Sequence, residues 1–140
     1  LGVARFVPVM TARAVVDKLN LDRLSAHMVE AAEQCGRTAV PRIDPMQKLD
    51  ALLKSWPKGR HLFFADEQGG ASMRDAFAAS KGPAALLIGP EGGFTTQERD
   101  AIRAHPAAVP ISLGPRILRA ETAAIAAIAC WMASNGDWAG

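Results

Sequence analysis

A glycine-rich stretch in the middle of the chain, Leu86 to Thr95 (LLIGPEGGFT), has residue types that can hold a small polar ligand. An apolar run typical of a β-strand ends at Gly89-Pro90, passes Gly92 and Gly93, and leads into a helix start. Glycines let a backbone approach a ligand closely, and free N–H groups remain at a helix N-terminus. Glu91 disfavours phosphate here and favours a cationic or neutral ligand such as a sulfonium. The alternative interpretation is a tight turn with a surface glutamate.

A second stretch, LGPRILRAETA at residues 113–123, puts two arginines and a carboxylate beside another glycine turn. Arg116 and Arg119 can orient RNA phosphate or stabilise an oxyanion that develops on a base. Glu121 either takes part in this chemistry or only supports the start of the following helix. Both stretches in one chain are more specific than either alone.

Three predicted strands supply the loops that hold these residues. The apolar runs at 61–65, 84–88 and 109–113 each end in a polar or glycine-bearing loop. Strands that alternate with helices are typical of an α/β fold. Because open α/β sheets bind ligands at the carboxyl ends of their strands, we expect the three following loops to converge.

Caps and turn residues predict the remaining elements. Thr95 can cap a helix that continues to His105, and Glu98 can close a capping box with it. The pattern also predicts a strand at 3–9 ended by Pro8 and a loop at 11–20 with Arg13, Asp17 and Lys18. A helix capped by Asp22 is predicted to run to Gln34 and to stop at Gly36. A short extended piece at 40–43, a helix opened by Asp44-Pro45 and a short helix at 72–79 follow.

The last predicted helix, Thr122 to Ala133 (TAAIAAIACWMA), has almost no polar face. A helix that is apolar all round is expected to be buried all round. At about 18 Å it is too short to span a bilayer. It should therefore lie inside the domain or against a second subunit, which favours a homodimer.

Composition sets the class of protein. A chain of 140 residues with 49% hydrophobic content predicts one soluble domain with a real core and no membrane span. The net charge is +2, but residues 1–60 carry ten Lys and Arg against six Asp and Glu, while residues 61–140 carry six against eight. This asymmetry permits RNA contacts in the first half.

Because the chain begins at Leu1 without a charged and apolar leader, we expect no signal peptide and a domain whose N-terminal part is missing.

Cysteine and histidine spacing argues against a metal site. Cys35 and Cys130 belong to no CxxC motif, and His27, His61 and His105 lack the spacing of metal ligands. We therefore expect no metal and no disulfide framework. A reducing, cytoplasmic compartment follows from this cysteine usage.

Three stretches together, IGPEGGF at 88–94, LGPRILRAETA at 113–123 and EAAEQCGR at 30–37, resemble the RsmE family of ribosomal RNA methyltransferases. The resemblance covers essentially the whole chain and implies methylation of uridine N3 in small-subunit (16S) ribosomal RNA by S-adenosylmethionine. The family belongs to the SPOUT superfamily, which implies a mostly parallel sheet flanked by helices, a deep C-terminal trefoil knot and a homodimer. Residues 1–140 then form the SPOUT methyltransferase domain, without the family's usual N-terminal PUA-like RNA-binding barrel.

The resemblance also implies which residues bind the cofactor, because the family's cofactor loops fall on the ends of the three predicted strands. Backbone groups of the third loop can hold the adenine in an apolar cleft, and Glu91 can lie near the positive end of the ligand. The implied cofactor-binding residues are Phe64, Ala65, Gly89, Pro90, Gly92, Gly93, Ile111, Leu113, Gly114, Ile117 and Leu118.

Catalysis needs help because uridine N3 carries a proton at neutral pH. We hypothesise that Arg119 stabilises the uracil anion at a carbonyl oxygen, while Arg37 and Arg116 position the RNA. Glu91 or Glu121 then handles the proton or orients an arginine.

Two other functions fit parts of the pattern. A SPOUT ribose 2′-O-methyltransferase has a related glycine loop, but it usually carries Ser-Leu-Asn after the last strand, where this chain has Ile117-Leu118-Arg119. A binding module for S-adenosylmethionine or RNA, without turnover, is the alternative from a different class.

Overall fold

Short strands and helices alternate along the part of the chain that the computed structural model describes, residues 1–16 and 18–140. The strands are β1 (Arg5–Phe6), β2 (Val9–Met10), β3 (Arg42–Ile43), β4 (Gln47–Lys48), β5 (His61–Ala65), β6 (Ala71–Ser72), β7 (Ala84–Leu87) and β8 (Ala108–Ser112). The helices are α1 (Leu21–Gln34), α2 (Leu49–Lys54), α3 (Met73–Ala79), α4 (Thr96–Arg103) and α5 (Ala120–Asn135). The predicted α/β fold class is confirmed.

The central sheet is parallel in every pair and has the order β6-β8-β5-β7. Strand β5 lies between β7 and β8, with Phe63 opposite both Leu86 and Val109. Because all three strands run in the same direction, their carboxyl ends meet at one edge of the sheet. The loops that follow them must therefore emerge side by side.

Helices cover both faces of this sheet, which explains the apolar sequence of β5. Successive strand side chains point to opposite faces. Phe64 packs with Leu53 and Ile102 on the face covered by α2 and α4. Phe63 packs with Phe77 of α3 and Trp131 of α5 on the other face.

The N-terminal segment forms two short parallel pairs instead of the single strand predicted at 3–9. β1 pairs with β3 and β2 pairs with β4, and Pro8 separates the two short strands because proline cannot donate to a ladder.

The helix predicted through Leu49 and Leu53 is present, but its predicted start at Asp44-Pro45 is wrong. Asp44 instead forms an ion pair with Arg5, and the hydrogen bond from Arg5 lowers the pKa of the Asp44 carboxyl. The helix α2 begins later, at Leu49, after β4.

Helix α1 begins close to its predicted start but with a different cap. Asn20, not Asp22, accepts a hydrogen bond from the Arg23 N–H, while Asp22 lies in the first turn. The helix ends before Gly36, whose φ of 66° permits the turn that ends it. Residues on either side of Asp17 form the predicted loop at 11–20, and Asp17 itself lies outside the described residues.

The predicted capping box of α4 is present and also fastens the N-terminal segment. The Thr95 hydroxyl accepts from the Glu98 N–H, and the Glu98 carboxylate accepts from the Thr95 N–H. The same carboxylate accepts from the Ala12 N–H at 2.7 Å. Burial alone would raise the pKa of Glu98, but these hydrogen bonds, together with the charge of Arg13, outweigh burial and lower it.

We expect Glu98→Gln to lower the free energy of unfolding by about 1 kcal/mol at neutral pH, the usual value of a helix cap. Because the pKa of Glu98 is lowered on folding, its contribution is present above about pH 4.3 and is lost as the pH falls through the folded pKa. Urea unfolding at pH 7 and pH 3 should show the gap to wild type shrinking in acid. Glu30→Gln, on the exposed side of α1, is the control. A gap that stays constant with pH would contradict this account.

Helix α5 is longer than predicted and is not buried all round. Ala123, Ala127 and Met132 are buried, but the Ile125 side chain is 57% exposed. One side packs on α3, where Asn135 donates to the Phe77 carbonyl. The other side leaves an apolar surface. In the described residues, no helix has the length and hydropathy that crossing a membrane requires.

Candidate functional site

A cleft of about 550 Å³ lies at the carboxyl ends of β5, β7 and β8. Its walls come from the three loops that were expected to converge, so that prediction is confirmed. The lining residues are Ala65–Glu67, Ile88–Glu91, Gly93, Phe94, Arg99, Ser112–Ala120 and Ala123.

The glycine loop of the cleft closes as a tight turn before α4. The Gly93 N–H donates to the Pro90 carbonyl at 2.8 Å, and Gly93 has a φ of 66°. A Cβ on Gly89 would lie 2.8 Å from the Phe94 ring, which is buried in the core. The loop therefore needs glycine at both positions, for conformation at one and for space at the other.

Four charged side chains form an ion-paired group between the first loop and α4, three of which belong to residues that line the cleft, and sequence reasoning missed all of them. Asp66 follows β5 with a side chain 0% exposed, and it accepts from Arg103 at 2.8 and 2.6 Å. The Arg99 Nε lies 3.3 Å from Asp66 Oδ1, and its Nη2 donates to Glu67 Oε1 at 3.0 Å. We call Asp66, Glu67, Arg99 and Arg103 the charged floor. The only signal in the sequence was Asp66-Glu67 directly after a buried strand.

The charged floor ties the first loop to α4. Arg103 also donates to the Gly69 carbonyl, so the turn after β5 is held from both ends. The Arg99 side chain is 7% exposed and lines the cleft, and its Nε makes no well-oriented hydrogen bond within the described residues. The cleft therefore has a charged side and, along Ile88, Leu113 and Leu118, an apolar side.

Three residues predicted to act on the substrate meet at the mouth of the cleft. Glu91, Arg116 and Arg119 all line it and are exposed. Arg119 occupies the N-cap position of α5, but its side chain makes no capping hydrogen bond. Gly114, with a φ of 106°, has open space where a Cβ would be. The side chains of both arginines are thus available to a substrate.

Five of the other predicted site residues lie outside the cleft lining, and their roles stay predictions. Phe64 and Ile111 are fully buried, so only their main chain can contribute to a site. Gly92 contacts Arg13, whose Nη1 donates to the Gly92 carbonyl at 2.8 Å. Arg37 donates to the Val3 carbonyl from the end of α1, and Glu121 is exposed in the first turn of α5. Ala65, Gly89, Pro90, Gly93, Leu113, Gly114, Ile117 and Leu118 all line the cleft.

Residues 1–132 match the model of a protein family described as an RNA methyltransferase domain. The chain belongs to this family. The resemblance stated from the motifs is thereby confirmed, since curated relatives carry the name ribosomal RNA small subunit methyltransferase E. The relative from Rickettsia conorii is 33% identical over 92% of this chain and 53% of its own length. The relative from Bacillus subtilis is 36% identical over 91% of this chain and 55% of its own length.

Solved structures of RNA methyltransferase relatives share the fold. Ribosomal RNA small subunit methyltransferase E from Neisseria gonorrhoeae, crystallised bound to S-adenosyl methionine, superposes with a TM-score of 0.87 at 32% identity, over 98% of this chain and 57% of that one. A methyltransferase from Legionella pneumophila in complex with the cofactor SAM has a TM-score of 0.79 at 34% identity, over 97% and 57%. The chain spans about half the length of the curated relatives it matches.

The RNA methyltransferase domain has no metal centre among the residues that the structure describes. No group of three or more His, Cys, Asp or Glu side chains is arranged to hold an ion there.

Proposed function

We propose that this chain binds S-adenosylmethionine in the cleft and transfers its methyl group to N3 of a uridine in small-subunit (16S) ribosomal RNA. The observation that carries the proposal is the convergence of three strand-end loops around one cleft with Arg116 and Arg119 at its mouth. The names of the curated relatives support the same substrate class.

The residues of the cleft fit this cofactor. Ile88, Leu113 and Leu118 offer an apolar wall for an adenine, and the main chain at Leu113, Ile117 and Leu118 offers polar groups to its edge. Gly114 has no side chain, and no atom lies within 4 Å of the place where its Cβ would be, so the cleft is open at this point of the wall. When bound, the cofactor supplies an activated methyl group on a sulfonium.

The carboxylate of Glu91 suits the positive end of that ligand. It lines the cleft and makes no ion pair with any described residue, so its charge is uncompensated. An uncompensated carboxylate attracts a cation more strongly than one already paired. We assign Glu91 to the sulfonium, with Glu91 or Glu121 accepting the uridine proton or orienting an arginine.

Arg119 and Arg116 serve the nucleic acid. Uracil that loses its N3 proton carries negative charge on its carbonyl oxygens, which a guanidinium at the mouth of the cleft stabilises. Arg119 has this role, and Arg116 binds phosphate beside it. Arg37 lies in the more basic half of the chain and contributes to the RNA surface from outside the cleft.

Transfer of a labelled methyl group to small ribosomal subunits tests the proposed function. Nucleoside digestion and mass spectrometry should then give N3-methyluridine. A 2′-O-methyl nucleoside would indicate the ribose methyltransferase instead. Cofactor binding without any transfer would support the binding module.

Domain organisation and location follow from the same proposal. Residues 1–140 are proposed to form a SPOUT methyltransferase domain. A ribosomal RNA substrate implies a cytoplasmic protein. The trefoil knot in the C-terminal part stays a prediction of the resemblance.

The protein is proposed to act as a homodimer that uses the exposed side of α5. Ile125 on that side is 57% exposed on an otherwise apolar helix, and Ile117 just before α5 is 85% exposed. Apolar surface of this kind is typical of an interface between subunits.

We expect Ile125→Asp to convert a dimer to a monomer in sedimentation experiments, because a charge would be buried at the interface. Val29→Asp is the matched control, since Val29 is 41% exposed on α1. A wild-type chain that sediments as a monomer at micromolar concentration would contradict the homodimer.

A further inference from the structure

Glu67 is a carboxylate of the cleft that the proposed function leaves without a role. It follows Asp66 at the end of β5, and its side chain is 46% exposed and lines the cleft. Arg99 holds only one of its oxygens, Oε1, at 3.0 Å. In the described part of the chain the other oxygen, Oε2, accepts no hydrogen bond. Glu67 therefore has an anchored oxygen and a free one.

The glycine loop is shaped around this carboxylate. A Cβ on Gly93 would lie 2.8 Å from Glu67 Oε1 and 3.5 Å from its Oε2, so the carboxylate lies directly on the main chain of Gly93. Any larger residue at 93 would push Glu67 out of its place. The two loops are thus fitted to each other at the point where both line the cleft.

Charge balance separates Glu67 from Glu91. The charged floor contains two carboxylates, Asp66 and Glu67, and two guanidinium groups, Arg99 and Arg103, so it is neutral as a unit. A neutralised carboxylate gains little from a further cation, but its free oxygen remains a strong acceptor for an uncharged O–H donor. A carboxylate beside a glycine loop is well suited to accept hydrogen bonds from the two adjacent hydroxyls of a ribose.

We infer that Glu67 binds the ribose hydroxyls of the methyl donor's nucleoside, and that Arg99 is the positioning residue that orients its carboxylate. The inference rests on the proposed function, because it requires that the cleft take S-adenosylmethionine. It divides the two exposed carboxylates of the cleft, Glu67 and Glu91, between the neutral sugar and the positively charged sulfur. Arg99 also has a reason to be buried, since its guanidinium must stay fixed to hold Glu67 Oε1.

Isothermal titration of the chain with S-adenosylhomocysteine and with its 2′,3′-dideoxy analogue tests this role. The wild type should bind the dideoxy analogue about tenfold or more weakly, because a hydrogen bond to a charged group is lost. Glu67→Gln should bind S-adenosylhomocysteine about tenfold more weakly than the wild type and should bind the two ligands almost equally. Arg99→Lys keeps the charge without the planar fork, and it should also reduce the discrimination between the two ligands. Thermal melting of each variant checks that it is folded.

Glu91→Gln is the matched control, because it changes the other exposed carboxylate of the cleft. It should keep the wild-type discrimination against the dideoxy analogue and should lose preference for S-adenosylmethionine over S-adenosylhomocysteine. The role of Glu67 is overturned if Glu67→Gln retains the full dideoxy penalty. It is equally overturned if the variant loses affinity for S-adenosylhomocysteine but not for 5′-methylthioadenosine, since that ligand keeps the ribose and lacks the amino acid.

The wild type alone separates this inference from the proposed function. Failure to bind either S-adenosylmethionine or S-adenosylhomocysteine would overturn both. Normal binding of S-adenosylhomocysteine with no dideoxy penalty would overturn only the role of Glu67.

Discussion

Arg119→Ala should lower the rate of methyl transfer by about 10²-fold to 10³-fold, the usual effect of removing one donor to a developing oxyanion. The affinity for S-adenosylmethionine should change by no more than a few-fold. The structure supports this separation, because the Arg119 side chain lines the mouth of the cleft and makes no capping hydrogen bond to α5. Single-turnover transfer to small ribosomal subunits, with calorimetry on the same preparation, measures both quantities.

Two further arginine variants make the Arg119 result specific. Arg116→Ala should raise the KM for RNA more than it lowers kcat, because its proposed contact is with phosphate. Arg74→Ala, on the exposed side of α3, should leave both unchanged. Where the chain alone turns over too slowly to measure, the variants are assayed in a fusion to the part of the Bacillus subtilis relative that this chain does not cover. Turnover of Arg119→Ala within a few-fold of wild type would refute the proposed role.

Asp66→Ala should destabilise the fold by about 3–5 kcal/mol, the cost of removing one partner of a buried ion pair. Asp66 has a side chain 0% exposed between Arg103 and the nearly buried Arg99, so its loss leaves buried positive charge uncompensated. It also accepts from the Gln68 N–H, so the loop after β5 loses its anchor. Chemical denaturation measures the stability, and calorimetry with S-adenosylmethionine should show weakened binding.

Asp66→Asn provides a variant that keeps the size of the side chain. It should lose most of the same stability, because it cannot balance either arginine. Asp100→Asn, on the exposed side of α4, should stay within about 0.5 kcal/mol of wild type. Equal stabilities for Asp66→Asn and Asp100→Asn would show that the charged floor does not hold the loop.

The edge of the sheet that carries the cleft could be predicted because the sequence patterns that indicate it are local. Strand β5 is a continuous apolar run, and the Thr95 and Glu98 pair carries its own capping geometry in four residues. Parallel strands then require their following loops to share an edge. The convergence of the loops followed from these two facts without any knowledge of long-range contacts.

The charged floor could not be predicted because its carboxylates are far from its arginines in the sequence. Asp66 and Arg103 are 37 residues apart, and nothing near either residue indicates the other. The same reason explains the error at Asp44, which has the local pattern of a helix cap but pairs with Arg5, 39 residues away. Local capping preference is worth about 1 kcal/mol, so a tertiary ion pair and β-pairing can override it.

The exposed side of α5 shows a different limit. Apolar composition predicted burial, and one side of the helix does pack on α3. The sequence cannot tell burial within the chain from burial against a second copy, because both need the same residues.

Titration of the isotope-labelled chain with S-adenosylhomocysteine, followed by amide chemical shifts, tests the central claim most directly. The account predicts that the largest shifts fall on Glu67, Gly89, Gly93, Gly114 and Leu118, one or two from each loop of the cleft. A second groove, of about 380 Å³ between α2 and α4 and lined by Met10, Leu53 and Gln97, serves as the internal comparison. Shifts concentrated around that groove, or no shifts at millimolar ligand, would contradict the account.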